Sequence, residues 1–156
     1  MQLRIVAVGT KMPAWVGAAV DDYARRLPGD WRIEWREMRA EPRGASGHAG
    51  AWMHREAERI RGALPAGARI VVLDERGRDL DTRQLALRIA AWREDTRPVA
   101  IVIGGPDGLD PALVRCADET LRLSSLTLPH PLVRVLLAEQ LFRAWSILAG
   151  HPYHRE

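Results

Sequence analysis

Two short apolar runs, broken only by Arg69, constrain the fold of this chain more than any other feature. They cover residues 68–73 and 98–103, and each lies between stretches with helical features. A strand that is apolar without alternation is buried on both faces, which is typical of parallel sheets in α/β proteins. Residues 2–8 and 31–38 alternate apolar and polar side chains and add two further strands. We therefore predict an α/β fold in which helices flank a mostly parallel sheet.

The segments between these strands predict helices. Pro13 suits a first helical turn. Asp81 or Thr82 suits an N-cap, and the Gln84 side chain can complete a capping box with it. Asp110-Pro111 marks a further helix start. The longer helices are predicted over residues 13–27, 51–64, 82–92 and 132–148, whereas residues 41–50, with three glycines and Pro42, predict a loop. No linker or repeat interrupts this pattern, so residues 1–156 are expected to form one domain.

Composition indicates the cellular compartment and the class of partner. No apolar run approaches the roughly 18 residues of a membrane span, and the N-terminus lacks the features of a secretion signal. Cys116 is the only cysteine, which excludes an intrachain disulfide and a cysteine-based zinc site. We therefore expect a cytoplasmic protein without membrane contact. Lys11 is the only lysine, and the positive side of a net charge of +3 rests on arginine. Arginine suits RNA recognition, although genome composition explains the same bias.

A glycine cluster follows the second apolar run. The sequence IVIGGPDGLD spans residues 101–110 and places Gly104 and Gly105 where a buried strand ends. Ligands of open α/β sheets bind at the carboxyl ends of strands, and glycine lets a backbone approach them closely. A tight turn without a ligand remains the alternative. The first strand is followed by a single glycine, Gly9, which argues against an ordinary Rossmann dinucleotide site.

Residues 121–134 and the C-terminal tail hold the remaining candidates. Ser124 and Ser125 lie in an apolar, irregular run without a GxSxG elbow, which disfavours a serine nucleophile. A metal site built from His151, His154 and Glu156 is disfavoured by the proline between the histidines. The mixture of aromatic, histidine and arginine side chains in the tail instead suits base stacking and phosphate binding.

The helix of residues 132–148 is apolar almost all round. Glu139 and Arg143 form one i,i+4 pair on its narrow polar face. Such a helix is buried on both sides, either in the core of a monomer or between two subunits.

Five stretches together resemble the RlmH family of SPOUT-class methyltransferases. They are residues 6–16, 72–74, 103–109, 126–147 and 151–156, and TLPHPLVR and HPYHRE are the most specific of their motifs. The resemblance implies N3 methylation of a pseudouridine in helix 69 of 23S rRNA within the ribosome. It also implies S-adenosylmethionine as the methyl donor without a metal, a homodimer, and a C-terminal trefoil knot near residues 103–128.

The resemblance also assigns residues. The implied donor-binding residues are Leu73, Gly104, Gly105, Leu123, Ser124, Ser125, Leu126, Thr127 and Leu128. N3 must lose its proton before it attacks the sulfonium methyl, so a base or a cation that stabilises the imide anion is required. His154 and Tyr153 are candidates, with Arg155 as the charge stabiliser. His130 is either a base or a residue that shapes the site.

Two alternatives from other classes remain at this point. One is a knotted RNA-binding dimer that has lost methyl transfer and need not bind the donor. The other is an α/β hydrolase of small molecules, which lacks its nucleophile motif.

Overall fold

The computed structural model describes residues 1–155 and contains one five-stranded sheet. The strand order is β2-β1-β4-β3-β5, and all paired neighbours run parallel. This confirms the predicted α/β class with a parallel sheet. The strands are β1 (Gln2–Val8), β2 (Arg32–Met38), β3 (Arg69–Asp79), β4 (Val99–Ile103) and β5 (Glu119–Arg122).

Five helices connect and follow the strands. Asp81 caps α3 and forms a capping box with Gln84, as its sequence predicts. Asp110 caps α4, and its side chain accepts hydrogen bonds from the amides of Ala112 and Leu113. The helices are α1 (Ala14–Arg26), α2 (Ala49–Ala63), α3 (Thr82–Glu94), α4 (Pro111–Cys116) and α5 (His130–Leu148).

The two faces of the sheet carry separate apolar clusters. One cluster joins alternate strand residues, such as Ile5 and Ile101, to α3 and α5, and α1 packs against α5 on the same face. The other joins Val6 and Val102 to α2 and α4. All five residues of β4 are buried, as expected for a central strand covered on both faces.

Three expectations need correction. β3 does not end before Asp74 but continues to Asp79, with a register shift between Leu73 and Arg78. Gly77 permits this extension, because a Cβ there would lie 2.7 Å from the backbone nitrogen of Leu121. Residues 119–122, within and before the segment predicted as irregular, form β5 at the sheet edge. Finally, α5 begins at His130 rather than two residues later.

The helix α5 is mostly buried but keeps some apolar side chains exposed. The helix contacts α1 and α3 on two sides and therefore belongs to the core of this chain. Leu132 and Leu136 nevertheless remain 40% and 36% exposed. Within residues 1–155, no helix combines the length and hydropathy needed to cross a bilayer.

Candidate functional site

The register of three strands brings the predicted donor-binding segments to the end of the sheet where the strands finish, which is called its carboxyl edge here. Leu73 of β3 pairs with Ile103 of β4 and with Leu121 of β5. The chain leaves β4 directly into Gly104, and it leaves β5 toward residues 123–128. Parallel strands end at a common edge, so Leu73, the glycine turn and the segment after β5 lie at the same level. This edge is where open α/β sheets bind ligands.

The glycine turn of residues 104–108 is closed by its own backbone. The amide of Gly108 donates to the carbonyl of Gly105 at 3.0 Å, and Gly108 has a φ of +89°. A Cβ on Gly104 would lie 2.8 Å from the carbonyl carbon of Gly108. The glycines are therefore required by the packing of the turn itself, a reason that differs from the close ligand approach inferred from the sequence.

The segment after β5 is held by a short local contact. The hydroxyl of Ser124 accepts a hydrogen bond from the amide of Leu126 at 2.9 Å. Leu126 is 75% exposed, whereas Leu123 is half-buried. Ser124 thus stabilises a turn. It presents Leu126 and Thr127 outward at the sheet edge.

An apolar cleft of about 310 Å³ opens between the sheet, α3 and α5. Leu73 and Leu123 line it, and they are the only two of the nine predicted donor residues that do so. Its polar groups include Thr82 and Gln140, which hydrogen bond to each other at 3.0 Å, and Asp81. Apolar walls with a few polar groups are typical of small-molecule sites, and this volume is at the lower end of their range.

A buried arginine joins the start of α5 to the carboxyl ends of two strands. Arg134 of α5 is 2% exposed. Its guanidinium donates to the carbonyl of Gly9 at 2.6 Å, to Nε2 of His130 at 3.0 Å, and to the carboxylate of Glu37. Burial lowers the pKa of His130, and the backbone of Gly104 lies near enough to the ring to raise it against that effect. The first turn of α5 is therefore bonded to the carboxyl ends of β1 and β2 and lies beside the turn that follows β4.

These contacts define the state of the His130 ring. Because arginine can only donate, Nε2 of His130 is an acceptor, and in the neutral ring the proton is on Nδ1. Burial and the nearby charge of Arg134 lower the pKa of His130 from its ordinary value, so the neutral form is favoured. Because Nε2 already accepts from Arg134, it is not free to take a proton from a substrate in this conformation.

The C-terminal tail folds back on the middle of α5. The phenol of Tyr153 donates to Glu139 at 3.1 Å, and its ring packs edge-on against Phe142 with 4.6 Å between centroids. Arg143 lies over the Tyr153 ring and pairs with Glu139, which confirms the i,i+4 pair. Burial, helped by hydrogen bonds to Tyr23 and Glu139, raises the pKa of Tyr153 to about 12. In this conformation Tyr153 is a poor base.

The tail is remote from the glycine turn of the same chain. Nδ1 of His154 lies 3.5 Å from Arg143, and Arg155 is exposed. Along α5, Arg143 is about 20 Å from His130 at a rise of ~1.5 Å per residue. The structure therefore brings the predicted donor residues to one edge but not the tail with them. Glu156 lies outside the described residues.

Sequence reasoning missed Arg134 and Glu37. Arg134 stands one helical turn after His130, and this i,i+4 spacing was the available signal. Glu37 sits at the end of a half-exposed strand, and nothing local distinguishes it from a solvated carboxylate.

Comparisons with known proteins agree with this architecture. Residues 1–154 match a family model described as "Predicted SPOUT methyltransferase". The chain is 57% identical to a Bordetella petrii protein and 59% identical to a Burkholderia thailandensis protein, each over 99% of both chains. Both relatives are named "Ribosomal RNA large subunit methyltransferase H".

Solved structures show the same fold at low sequence identity. A probable methyltransferase from Bordetella pertussis superposes with a TM-score of 0.55 at 17% identity, over 92% of this chain and 95% of that one. A probable methylase family protein from Haemophilus influenzae gives 0.55 at 17% identity, over 99% of this chain and 70% of that one.

Proposed function

The chain belongs to the SPOUT methyltransferase family, and on this premise we propose that it methylates large-subunit ribosomal RNA with S-adenosylmethionine as the donor. The match of residues 1–154 to the family model, together with relatives at 57–59% identity over almost the whole chain, carries this proposal. We further propose N3 of a pseudouridine in helix 69 of 23S rRNA as the target, reached on assembled ribosomes.

The donor site is proposed at the carboxyl edge of β3, β4 and β5. The backbone of Gly104 and Gly105 would form one wall, residues 123–128 a second, and the Leu73 side chain a third. The adjoining cleft supports this placement, since its apolar lining and few polar groups suit a nucleoside. When bound, the donor supplies an electrophilic methyl group on a sulfonium.

Transfer requires the target nitrogen as an anion. The N3–H bond breaks with its proton passing to a base, the N3–methyl bond forms, and the carbon–sulfur bond breaks to leave a neutral thioether. His154 is the base in this proposal, and Arg155 stabilises the imide anion. Tyr153 is better suited to packing against the base, because its raised pKa keeps the phenol protonated.

A homodimer would reconcile the donor edge with the tail. Within one chain His154 contacts Arg143, which lies about 20 Å along α5 from His130 at ~1.5 Å per residue, and His130 is the end of the helix nearer the glycine turn. The tail of one subunit would therefore serve the donor edge of its partner. Leu132 and Leu136, exposed at the start of α5, supply apolar area for such an interface. The second subunit would also help to hold the RNA.

A trefoil knot near residues 103–128 is part of the proposal, supported by membership of the family. Pulling the chain from both ends tests it. An unknotted chain extends to about 3.3–3.6 Å per residue, whereas a tightened knot leaves the chain measurably shorter. Full extension would refute the knot without touching the activity.

Methyl transfer from labelled S-adenosylmethionine to ribosomes that lack the helix 69 mark tests the function. We expect label on the pseudouridine when the RNA product is mapped by mass. Free large subunits and a short stem-loop of the same sequence serve as alternative substrates. Efficient labelling of the free stem-loop would contradict the requirement for assembled ribosomes.

Variants of the tail assign the roles. Arg155→Gln is expected to lower kcat while donor binding persists, and His154→Gln to shift the pH dependence of kcat. Donor binding without transfer to any ribosomal particle would overturn the target. If the donor did not bind at all, the non-catalytic RNA-binding dimer would replace the enzyme as the better interpretation.

A further inference from the structure

Glu56 is a buried carboxylate directly behind the glycine turn. It lies on α2 and is 2% exposed. One oxygen, Oε1, accepts from the amide of Glu41 at 2.8 Å and from Arg43. The other, Oε2, has no hydrogen-bond partner within residues 1–155 and would lie 3.0 Å from a Cβ on Gly105. The backbone of the turn therefore rests against a buried negative charge.

Arg43 connects this carboxylate to the turn from the outside. Its Nε and Nη2 both donate to Oδ2 of Asp107, at 3.0 and 2.7 Å, while Nη1 donates to Glu56. Asp107 stands in the glycine turn, between Gly105 and Gly108. A planar guanidinium can bridge two carboxylates in this way, whereas an ammonium group cannot reproduce the fork.

The loop that carries Arg43 is packed rather than free. Its guanidinium lies over the ring of Trp52, 5.4 Å from the centroid. A Cβ on Gly47 would lie 2.7 Å from the same indole, so the loop crosses closely above Trp52. Nearby, Glu41 accepts from Arg55 at 2.9 Å. Residues 41–48 thus form an anchored strap across the back of the turn and lead into α2 at Ala49, although the composition of residues 41–50 alone predicts only a loop.

We propose that Arg43 is a positioning residue for the methyl-donor site and acts through Asp107. Glu56 fixes the guanidinium from the protein interior, and the guanidinium holds the turn whose Gly104 and Gly105 face the donor. This inference rests on the proposed function, since it assumes that the turn binds S-adenosylmethionine. It extends that function to a segment of the chain from which the family resemblance transfers no role.

The expected effect is a loss of donor affinity without loss of the fold. If removal of the bridge leaves the turn in its binding geometry about a tenth of the time, the apparent Kd for the donor rises about tenfold. The KM for ribosomes should stay within about twofold, because the RNA does not bind through this contact. A bridge that only stabilised the fold would lower the melting temperature and leave the donor Kd of the folded protein unchanged.

The experiment measures donor binding to the full-length protein by calorimetry, with KM and kcat for both substrates. The variants are Arg43→Gln, Asp107→Ala and the double variant. Loss of Arg43 leaves the buried Glu56 carboxylate without its partner and can prevent folding. Asp107 is on an exposed turn, so Asp107→Ala is expected to fold even in that case. Both single variants should raise the donor Kd, and the double variant should add little, because both remove one interaction. Arg43→Lys should recover stability more than affinity.

Arg55→Gln is the matched control. It removes another arginine–carboxylate pair of the same strap, and it contacts no residue of the turn in the described part of the chain. Its donor Kd should equal that of the wild type. Equal affinity of Asp107→Ala and wild type, or strictly additive effects in the double variant, would overturn the inference. Failure of the wild type to bind donor would instead reject the proposed function on which it rests.

Discussion

Replacing Arg134 with methionine removes the charged centre of the network at the start of α5. Methionine keeps a long, flexible apolar side chain in the space of the arginine stem. The guanidinium loses its contacts with Gly9, His130 and Glu37. The variant therefore separates the effect of the polar contacts from that of core volume.

The contacts indicate a cost of about 3 kcal/mol. Removing one partner of a buried ion pair costs roughly 3–5 kcal/mol. The Glu37 side chain is 43% exposed, regains water easily and moves the estimate to the lower end. The carbonyl of Gly9 and Nε2 of His130 also lose their donor, but they share one network with Glu37, so their costs are not added to that of the ion pair. Small proteins have a total free energy of unfolding of about 5–15 kcal/mol, so the variant is expected to fold.

Equilibrium unfolding in urea at fixed protein concentration measures this cost. With a slope of about 2 kcal/mol per molar, the midpoint should fall by about 1.5 M. Arg36→Met is the control, because Arg36 pairs with Glu34 on the exposed side of β2, where solvent screening leaves such pairs little effect on stability. A loss below 1 kcal/mol for Arg134→Met, or an equal loss in the control, would refute the reasoning.

Three further predictions concern single groups. Gly77→Ala should lower the free energy of unfolding by about 1–3 kcal/mol, because the added Cβ meets the backbone of Leu121. Gly62→Ala should be stabilising, because Gly62 lies on the open face of α2. Thermal unfolding of both variants checks this. The folded pKa of His130 is lowered from 6.5, so the unfolded chain takes up the proton first and stability falls as pH drops below about 6.5. His130→Gln should reduce that slope in urea titrations between pH 7.5 and 5.5, and an unchanged slope would contradict the assignment. Tyr153 should titrate near pH 12 rather than 10 in NMR spectra of ring-labelled tyrosine, and a midpoint near 10 would show that the tail does not fold onto α5.

Much of the fold was predictable because local patterns and tertiary packing agree in it. The continuous run that became β4 is buried at every residue, and the Asp81–Gln84 capping box forms as its spacing predicts. β5 was missed because four residues of mixed polarity show no usable periodicity. The extension of β3 was missed because it depends on Gly77 passing close to Leu121, a contact distant in sequence.

Some residues of the candidate site were likewise predictable from the sequence, and others were not. Gly104 and Gly105 stand out locally, since a glycine pair after a buried strand is a visible motif. Arg134 does not, because one arginine on an apolar helix is ordinarily assigned to solvent, and only the tertiary fold buries it between Gly9 and Glu37. The whole of α2, β3, α3 and β4 separates Arg43 from Asp107 in the sequence, so no spacing rule pairs them.

The strand order also has a consequence for how the chain is made. β1 is synthesised first, yet one of its two edges is filled by β4, with Leu3 beside Val99. At about 5–20 residues per second, the apolar edge of β1 stays open for roughly 5–20 s after it is made. During that interval the growing polypeptide displays a strand suited to unwanted pairing, so protection by chaperones at the exit tunnel should matter more for its yield than for proteins with sequentially paired strands.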